Sequence, residues 1–460
     1  MSGKNICIIG AGIGGLTAGA LLTKKGYNVK IFERELLIGG RALSFNMSDL
    51  TLEEYKSILT RFNMNIPFSV PDLDIIFNKK MFDGYKLDLG YHTIGGGSTS
   101  KIGEVLSVLG KNVDFFNSHI GFIDGNRVST RFLSWFDRVM ILPKILRLLF
   151  ASERIMTQLD TVSMTETIKK YGQGKMKLIL EIFSRSITTV NNLDRISTGE
   201  MFRAQKNLYK RSRPVGYPRG GLSNITQQLA EYIIENGGEI HLGKPINKII
   251  IKNNKATGVF IDDEEHNFDV IISDILVKDF FKLTNESDFP KEYVKNLKSL
   301  TGTSSLCAFY SLKKINSLFI GKTFHFIERN IGVDGNDAVG MIDMMTAMKD
   351  SGLTSNSDHI IQSYIICSPD ETKNKEILEK LKKLLDKNLE TLIPDFHEQL
   401  NWAIYPLVWH LDGVAKTIDN LKPEIKTPIQ NLYLVGDCVK APGIGITCAV
   451  TSAVQLVSII

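Results

Sequence analysis

The chain has 460 residues and a mass of 51.5 kDa, enough for two or three domains at ~150 residues each. Hydrophobic residues make up 43% and charged residues 23%, ordinary values that exclude disorder, collagen or coiled coil as the dominant state. With 55 basic and 50 acidic residues the net charge is only +5, so no nucleic-acid partner is expected.

The five cysteines, Cys7, Cys307, Cys367, Cys438 and Cys448, form no CxxC pair and no zinc spacing. This argues against disulfide-reductase chemistry and a metal site, and for a reducing, cytoplasmic location. The chain runs almost directly into a strand, which leaves no room for a signal peptide before it.

Residues 4–10 (KNICIIG) read as a strand buried on both faces. A glycine-rich turn follows, then a helix to about Lys25. Gly26 stops it, and residues 27–33 (YNVKIFE) form a second strand. Residues 46–80 are read as an irregular excursion with one helix, Thr51–Phe62. From about Ser100 to Lys210 the pattern is mainly helical. A further helix is expected over 222–236, with strands at 239–242, 246–252, 256–261 and 268–272. Residues 375–392 have the spacing of an amphipathic helix ending before Pro394. Residues 431–436 read as another buried strand and 445–459 as a final helix.

Gly10-x-Gly12-x-x-Gly15 lies between the first strand and helix. Gly10 permits the tight turn, and Gly12 lets a pyrophosphate approach the backbone. Gly15 lets the helix pack on the sheet, with Ala18 and Gly19 extending that contact. Glu33 ends the second strand, where a carboxylate accepts hydrogen bonds from ribose hydroxyls and disfavours a 2′-phosphate. There is no second glycine-turn unit, hence no dedicated nicotinamide domain.

The combination of GAGIGGLTA, FERELLIGGRA and a late NLYLVGD resembles the flavin-containing amine oxidase and phytoene desaturase superfamily. The segments YPRGGLSNITQQLAEYIIENGGEIHLGKPINKI (217–249) and LDLGYHTIGGG (87–97) resemble family segments too. The resemblance covers somewhat under half of the chain. It implies an α/β fold: a discontinuous Rossmann-like FAD-binding domain with an inserted α+β substrate-binding domain. The FAD domain is assigned 1–100, 200–275 and 425–460, and the substrate domain 101–199 and 276–424.

The resemblance also implies that FAD contacts Gly10, Gly12, Ile13, Gly14, Gly15, Glu33, Arg34, Gly39, Gly40, Arg41, Ala42, Ile246, Gly436, Asp437, Gly445 and Ile446. Paired glycines allow close approach of backbone, and an arginine offers fork donors to phosphate. The helix starting near Gly445 would aim its positive end at the flavin. One departure separates this chain from bacterial phytoene desaturases. Where they carry a threonine–histidine–proline run after the last strand, this chain has GDCVKAPGIG.

His92 lies in the segment expected near the flavin and is the candidate acid or base; it equally suits a hydrogen-bonded core histidine. Trp402, Tyr405, Trp409 and His410 suit core packing or an apolar pocket wall. The other six histidines show no arrangement that carries chemistry. Residues 131–154 place Phe132, Trp135, Phe136, Val139, Met140, Leu146, Leu149 and Phe150 at helical spacing. Arg131, Arg138, Lys144, Arg147 and Arg154 outnumber Asp137 and Glu153. Pro143 is expected to kink or split this helix. Such a helix suits a membrane interface or a protein core. Residues 441–460 carry no charge but are too polar for a transmembrane tail.

The resulting expectation is an FAD-dependent oxidoreductase resembling phytoene desaturases, carotenoid isomerases and retinol saturases. It would pass hydride between flavin N5 and a carbon of an apolar isoprenoid or polyene. The electron acceptor is left open among oxygen, a quinone and a nicotinamide. Two alternatives remain: a flavin oxidase of amines or a porphyrinogen, and a non-catalytic prenyl-lipid binder resembling Rab GDP-dissociation inhibitors.

Overall fold

The computed structural model describes residues 3–130, 134–209, 215–315, 318–409 and 415–460. The N-terminal βαβ unit forms as its sequence dictates. Asn5–Ile9 is buried beyond its first residue, and Ile13–Lys24 is the glycine helix. Gly26 takes φ +84° to reverse the chain into the strand Asn28–Phe32. Gly19 lets that helix sit close, since a Cβ there would lie 2.8 Å from Ile31 Cδ1 and 3.1 Å from Ile233 Cδ1.

These strands belong to a five-stranded parallel sheet. Its order is Glu239–His241, Asn28–Phe32, Asn5–Ile9, Val270–Ser273, Leu432–Leu434. The sheet is thus assembled from both ends of the chain and one middle segment. The helices Ser223–Glu235 and Gly445–Val457 flank the glycine helix on one face. A separate antiparallel meander, Lys248–Lys252, Lys255–Ile261 and Glu264–Asn267, packs against the sheet through its middle strand. Covering both faces explains why the parallel strands are apolar almost throughout.

The second large element is an eight-stranded sheet. Its order is Met64–Val70, Leu400–Val408, Ser304–Leu312, His359–Cys367, Ala338–Asp343, Thr323–Glu328, Ile120–Asp124, Arg127–Ser129. All its pairs are antiparallel except Thr323–Glu328 with Ile120–Asp124. The helix Lys375–Leu392 lays Leu378, Leu381, Leu385, Leu389 and Leu392 into a core with one face of this sheet. On the other side the helix Gly174–Thr188 packs against Thr323–Glu328 and Ala338–Asp343.

Three stretches differ from the sequence reading. Residues 46–80 hold more than one helix. Leu52–Arg61 is there, held by a capping box between Thr51 and Glu54. Met64–Val70, however, is the edge strand of the eight-stranded sheet, so the first hundred residues contribute to both sheets. Residues 115–129, read as part of a helical block, form three strands. Conversely, Ile102, Val105, Leu106, Leu297 and Leu300 pack into the core of the parallel-sheet unit. Chain segments cross between the units because burial, not sequence distance, decides where an apolar face docks.

The helix Trp135–Leu149 runs unbroken with Pro143 inside it. Among its described side chains the apolar ones are exposed: Trp135 is 78% exposed, Phe136 67% and Met140 60%, and Phe150 just beyond is 84% exposed. Lys175 Nζ holds Asp137 Oδ2 at 3.0 Å and ties this helix to Gly174–Thr188. Arg131 and Phe132, and the side chains of Arg138, Lys144 and Leu149, lie outside the described residues, as does His410. Residues 445–457 form the expected last helix, buried through Ile446, Cys448, Ala449, Val450, Ala453 and Leu456. Among the described residues no helix is long and apolar enough to cross a membrane.

Candidate active site

The strand ends of the parallel sheet define a crevice, the usual place for a ligand in an open α/β sheet. Gly10 takes φ +100°, and its N–H donates to the Phe32 carbonyl at 2.8 Å. The Ala11 N–H then donates to Glu33 Oε2 at 2.7 Å, and the Glu35 N–H to Glu33 Oε1 at 2.9 Å. Two amides fix this carboxylate, yet each oxygen keeps a second acceptor position. Gly39, at φ +113°, donates its N–H to the Ala11 carbonyl at 2.8 Å. A Cβ on Gly40 would lie 3.4 Å from Gly12 Cα. The two glycine turns meet backbone to backbone through the Gly12–Gly39 bridge, and the left-handed φ values of Gly39 and Gly40 (+56° at Gly40) favour glycine there.

The last segments close the crevice. Gly436 takes φ +113°, and its N–H donates to Ser452 Oγ at 3.0 Å. Asp437 Oδ1 accepts from Arg41 Nη2 at 2.6 Å. Gly445 opens the final helix, which has no side-chain cap, and Gly445, Ile446 and Thr447 line the crevice. Uncapped N–H groups at a helix start favour a negatively charged neighbour.

A single cavity of about 1220 Å³ runs along this crevice. Gly10, Gly12, Ile13, Gly14, Glu33, Arg34, Gly39, Gly40, Arg41, Ala42, Ile246, Gly436, Asp437, Gly445 and Ile446 all line it, as does His92. Gly15 lies beneath instead. Its N–H donates to Asp274 Oδ2 at 2.7 Å, and a side chain on it would collide with the Gly10 carbonyl. The volume exceeds that of a typical drug-sized pocket, ~300–1,000 Å³, so there is room beyond one small ligand.

The extra space reaches the eight-stranded sheet. His325, Met341 and Tyr364 are direct neighbours across three strands and share one face. All three line the cavity with Ile120, Phe183, Ser186, Ile187 and Ser305. Tyr91 packs against Tyr364 with ring centroids 4.7 Å apart and the rings tilted by 36°. This inner wall is apolar or neutral: among the described residues, no carboxylate of the strands and helix that form it lines the cavity.

In the sequence, the neighbours of His325 carry no motif that marks it. Its position comes from strand register, which brings it opposite Phe122 and Met341. Its Nδ1 lies 3.0 Å from Ser186 Oγ, and Phe183 meets the ring edge-on at 5.4 Å. Burial pushes its pKa down to about 4, so the imidazole is neutral near pH 7. His92 is less enclosed, with Nδ1 3.1 Å from the Gly90 carbonyl. Trp402 and Tyr405 are core residues: Trp402 packs between Phe82 and Tyr85, and Tyr405 donates to Asp386 Oδ1 at 2.6 Å. All five cysteines are buried and free. Among the described residues no cluster suits a metal ion.

A glycine cradle, a fixed strand-end carboxylate and an arginine at the crevice define a dinucleotide-binding flavoprotein. The chain belongs to the family of flavin-containing amine oxidoreductases, whose model matches residues 13–457, and FAD is the cofactor that the cradle fits. Among its relatives, a 1-hydroxycarotenoid 3,4-desaturase from Flavobacterium sp. (strain P99-3) is 24% identical over 323 residues, 68% of this chain and 64% of that protein. A 4,4'-diapophytoene desaturase (4,4'-diapolycopene-forming) from Methylomonas sp. is 26% identical over 330 residues, 68% of this chain and 62% of that one. The match therefore spans less than two thirds of either relative's own length. A crystal structure of an oxidoreductase from Methanosarcina mazei shares the fold, with a TM-score of 0.71 and 20% identity. The match covers 99% of this chain and all of that one.

Proposed function

We propose that this protein is an FAD-dependent oxidoreductase acting on an apolar, isoprenoid or polyene substrate. The observation that carries the reading is the continuity of the cavity. It begins at the glycine cradle and ends on a neutral wall of Ile120, Phe183, Ile187, Met341 and Tyr364. FAD, when bound, supplies hydride chemistry at flavin N5.

The chain's own residues do the rest. Gly10, Gly12, Gly14, Gly39 and Gly40 let backbone approach the dinucleotide, Glu33 takes the ribose, and Arg41 faces the pyrophosphate. The inner wall excludes water and holds an extended apolar chain by burial. His325 and His92 are the imidazoles available to move a proton at a substrate carbon. The lack of an acidic group on the inner wall, among the described residues, argues against a cationic amine. Glu33, Arg41 and Asp437 gathered on one cavity wall argue against a carrier that binds lipid alone, since lipid binding needs none of them.

The exposed apolar side chains of Trp135–Leu149 are the proposed membrane contact, through which such a substrate would enter. A peripheral position at a membrane goes with it, and oxygen, a quinone or a nicotinamide takes the electrons. Anaerobic mixing of the FAD-loaded protein with polyenes, amines and porphyrinogens tests the reading. Oxidised flavin should bleach with a desaturable polyene, or reduced flavin should recolour with a saturable one. Bleaching with amines alone would refute it.

A further inference from the structure

Asp274 follows the strand Val270–Ser273, and its side chain enters the glycine turn. Its Oδ2 accepts from the Gly15 N–H at 2.7 Å. A Cβ on Gly12 would lie 2.5 Å from that same oxygen, and one on Gly436 would lie 3.0 Å from Oδ1. The carboxyl group therefore occupies space that the glycines leave free, on the wall of the cavity. This is the start of the Ile13–Lys24 helix, where the phosphates of a dinucleotide are expected.

We propose that Asp274 makes dinucleotide binding proton-linked: FAD binds with this carboxyl group protonated, and its ionisation weakens binding. The inference rests on the FAD reading above. The half-positive charge of one helix end cannot serve two anions at full strength. A protonated Asp274 still accepts from Gly15 and gains a donor for a phosphate oxygen. An ionised one competes for the same N–H groups and repels the phosphates.

The surrounding charges point the same way. Glu33 faces Asp274 from the end of Asn28–Phe32, and Asp437 faces it from the last loop. Arg41 is the cation of the Gly39–Ala42 turn, and it pairs with Asp437. Asp279 and Lys282, on the same cavity wall, hold each other at 2.6 Å. The first turn of the glycine helix adds no acidic group. Burial, reinforced by Asp437 and Glu33 and opposed by the Gly15 N–H and Arg41, pushes the Asp274 pKa up to about 8.

Flavin fluorescence titrations of FAD into the apoprotein, from about pH 6 to about pH 10, test this. The parent should lose affinity about tenfold per pH unit above the midpoint. Asp274→Asn, which keeps the acceptor for Gly15, should bind as tightly as the parent at low pH and show no such loss. Calorimetry of the parent in two buffers of different ionisation heat should count close to one proton taken up per FAD above the midpoint. Parallel pH profiles for parent and variant, or no proton uptake by the parent, would overturn the proposal. If the parent binds no FAD at any pH, the cofactor reading fails and the inference with it.

Discussion

Arg41 and Asp437 stand 396 residues apart in the chain, yet Arg41 Nη2 lies 2.6 Å from Asp437 Oδ1. The contact joins the second glycine turn to the last loop, across the crevice proposed for the dinucleotide. Asp437 is 7% exposed and Arg41 28%, so the pair is only partly screened by solvent. It holds the guanidinium fork toward the cavity that both residues line.

Removing the fork should therefore be felt in cofactor affinity. Arg41→Ala is expected to weaken FAD binding by roughly 10- to 100-fold, the value of hydrogen bonds to charged groups at ~1.5–3 kcal/mol. Arg41→Lys should recover only part of this, because an ammonium cannot make the forked contact. Equilibrium titration with FAD measures both.

The glycine turns make a conformational prediction. Gly39 sits at φ +113° with Thr226 Oγ1 3.3 Å from where a Cβ would be. Gly39→Ala should cost at least ~1–2 kcal/mol in stability and reduce FAD content on purification. Urea denaturation of the apoprotein separates the two effects.

His325 gives a pH signature. Its folded pKa is depressed by burial to about 4, below the usual 6.5. The unfolded chain then binds a proton that the folded one does not, between those values. Its contribution to stability is full above about pH 6.5 and is lost as pH falls toward about 4. In His325→Phe that part of the acid slope should vanish. If His325 also moves a substrate proton, turnover should fall by roughly 10²- to 10⁴-fold while FAD binding is unchanged.

The exposed apolar side chains of Trp135–Leu149 predict reversible membrane binding. The double variant Trp135→Asp, Phe136→Asp should co-sediment less with liposomes than the parent. Both residues are largely exposed, so stability should stay within about 0.5 kcal/mol of the parent. Equal binding by parent and variant would remove the membrane role.

The glycine cradle was legible because its geometry is local in sequence. Gly10, Gly12, Gly15 and Glu33 lie within one βαβ unit, and glycine spacing records the close backbone turns directly. The helix Lys375–Leu392 was equally legible, since leucines at helical spacing face one core. The eight-stranded sheet was not. Ser304–Leu312 and His359–Cys367 are buried along their whole length, so no alternation marks a face. Their partners lie far along the chain, as with Met64–Val70 and Leu400–Val408. His325 became visible only through that sheet, where register places it beside Met341, Tyr364 and the cavity.

The most direct test of the account is the flavin content of the purified protein after incubation with FAD and removal of the excess. The predicted result is one FAD per chain, with the oxidised-flavin absorbance spectrum, and loss of affinity in Arg41→Ala. A parent protein that retains no flavin at any FAD concentration would contradict the account and leave a lipid carrier without cofactor as the better description.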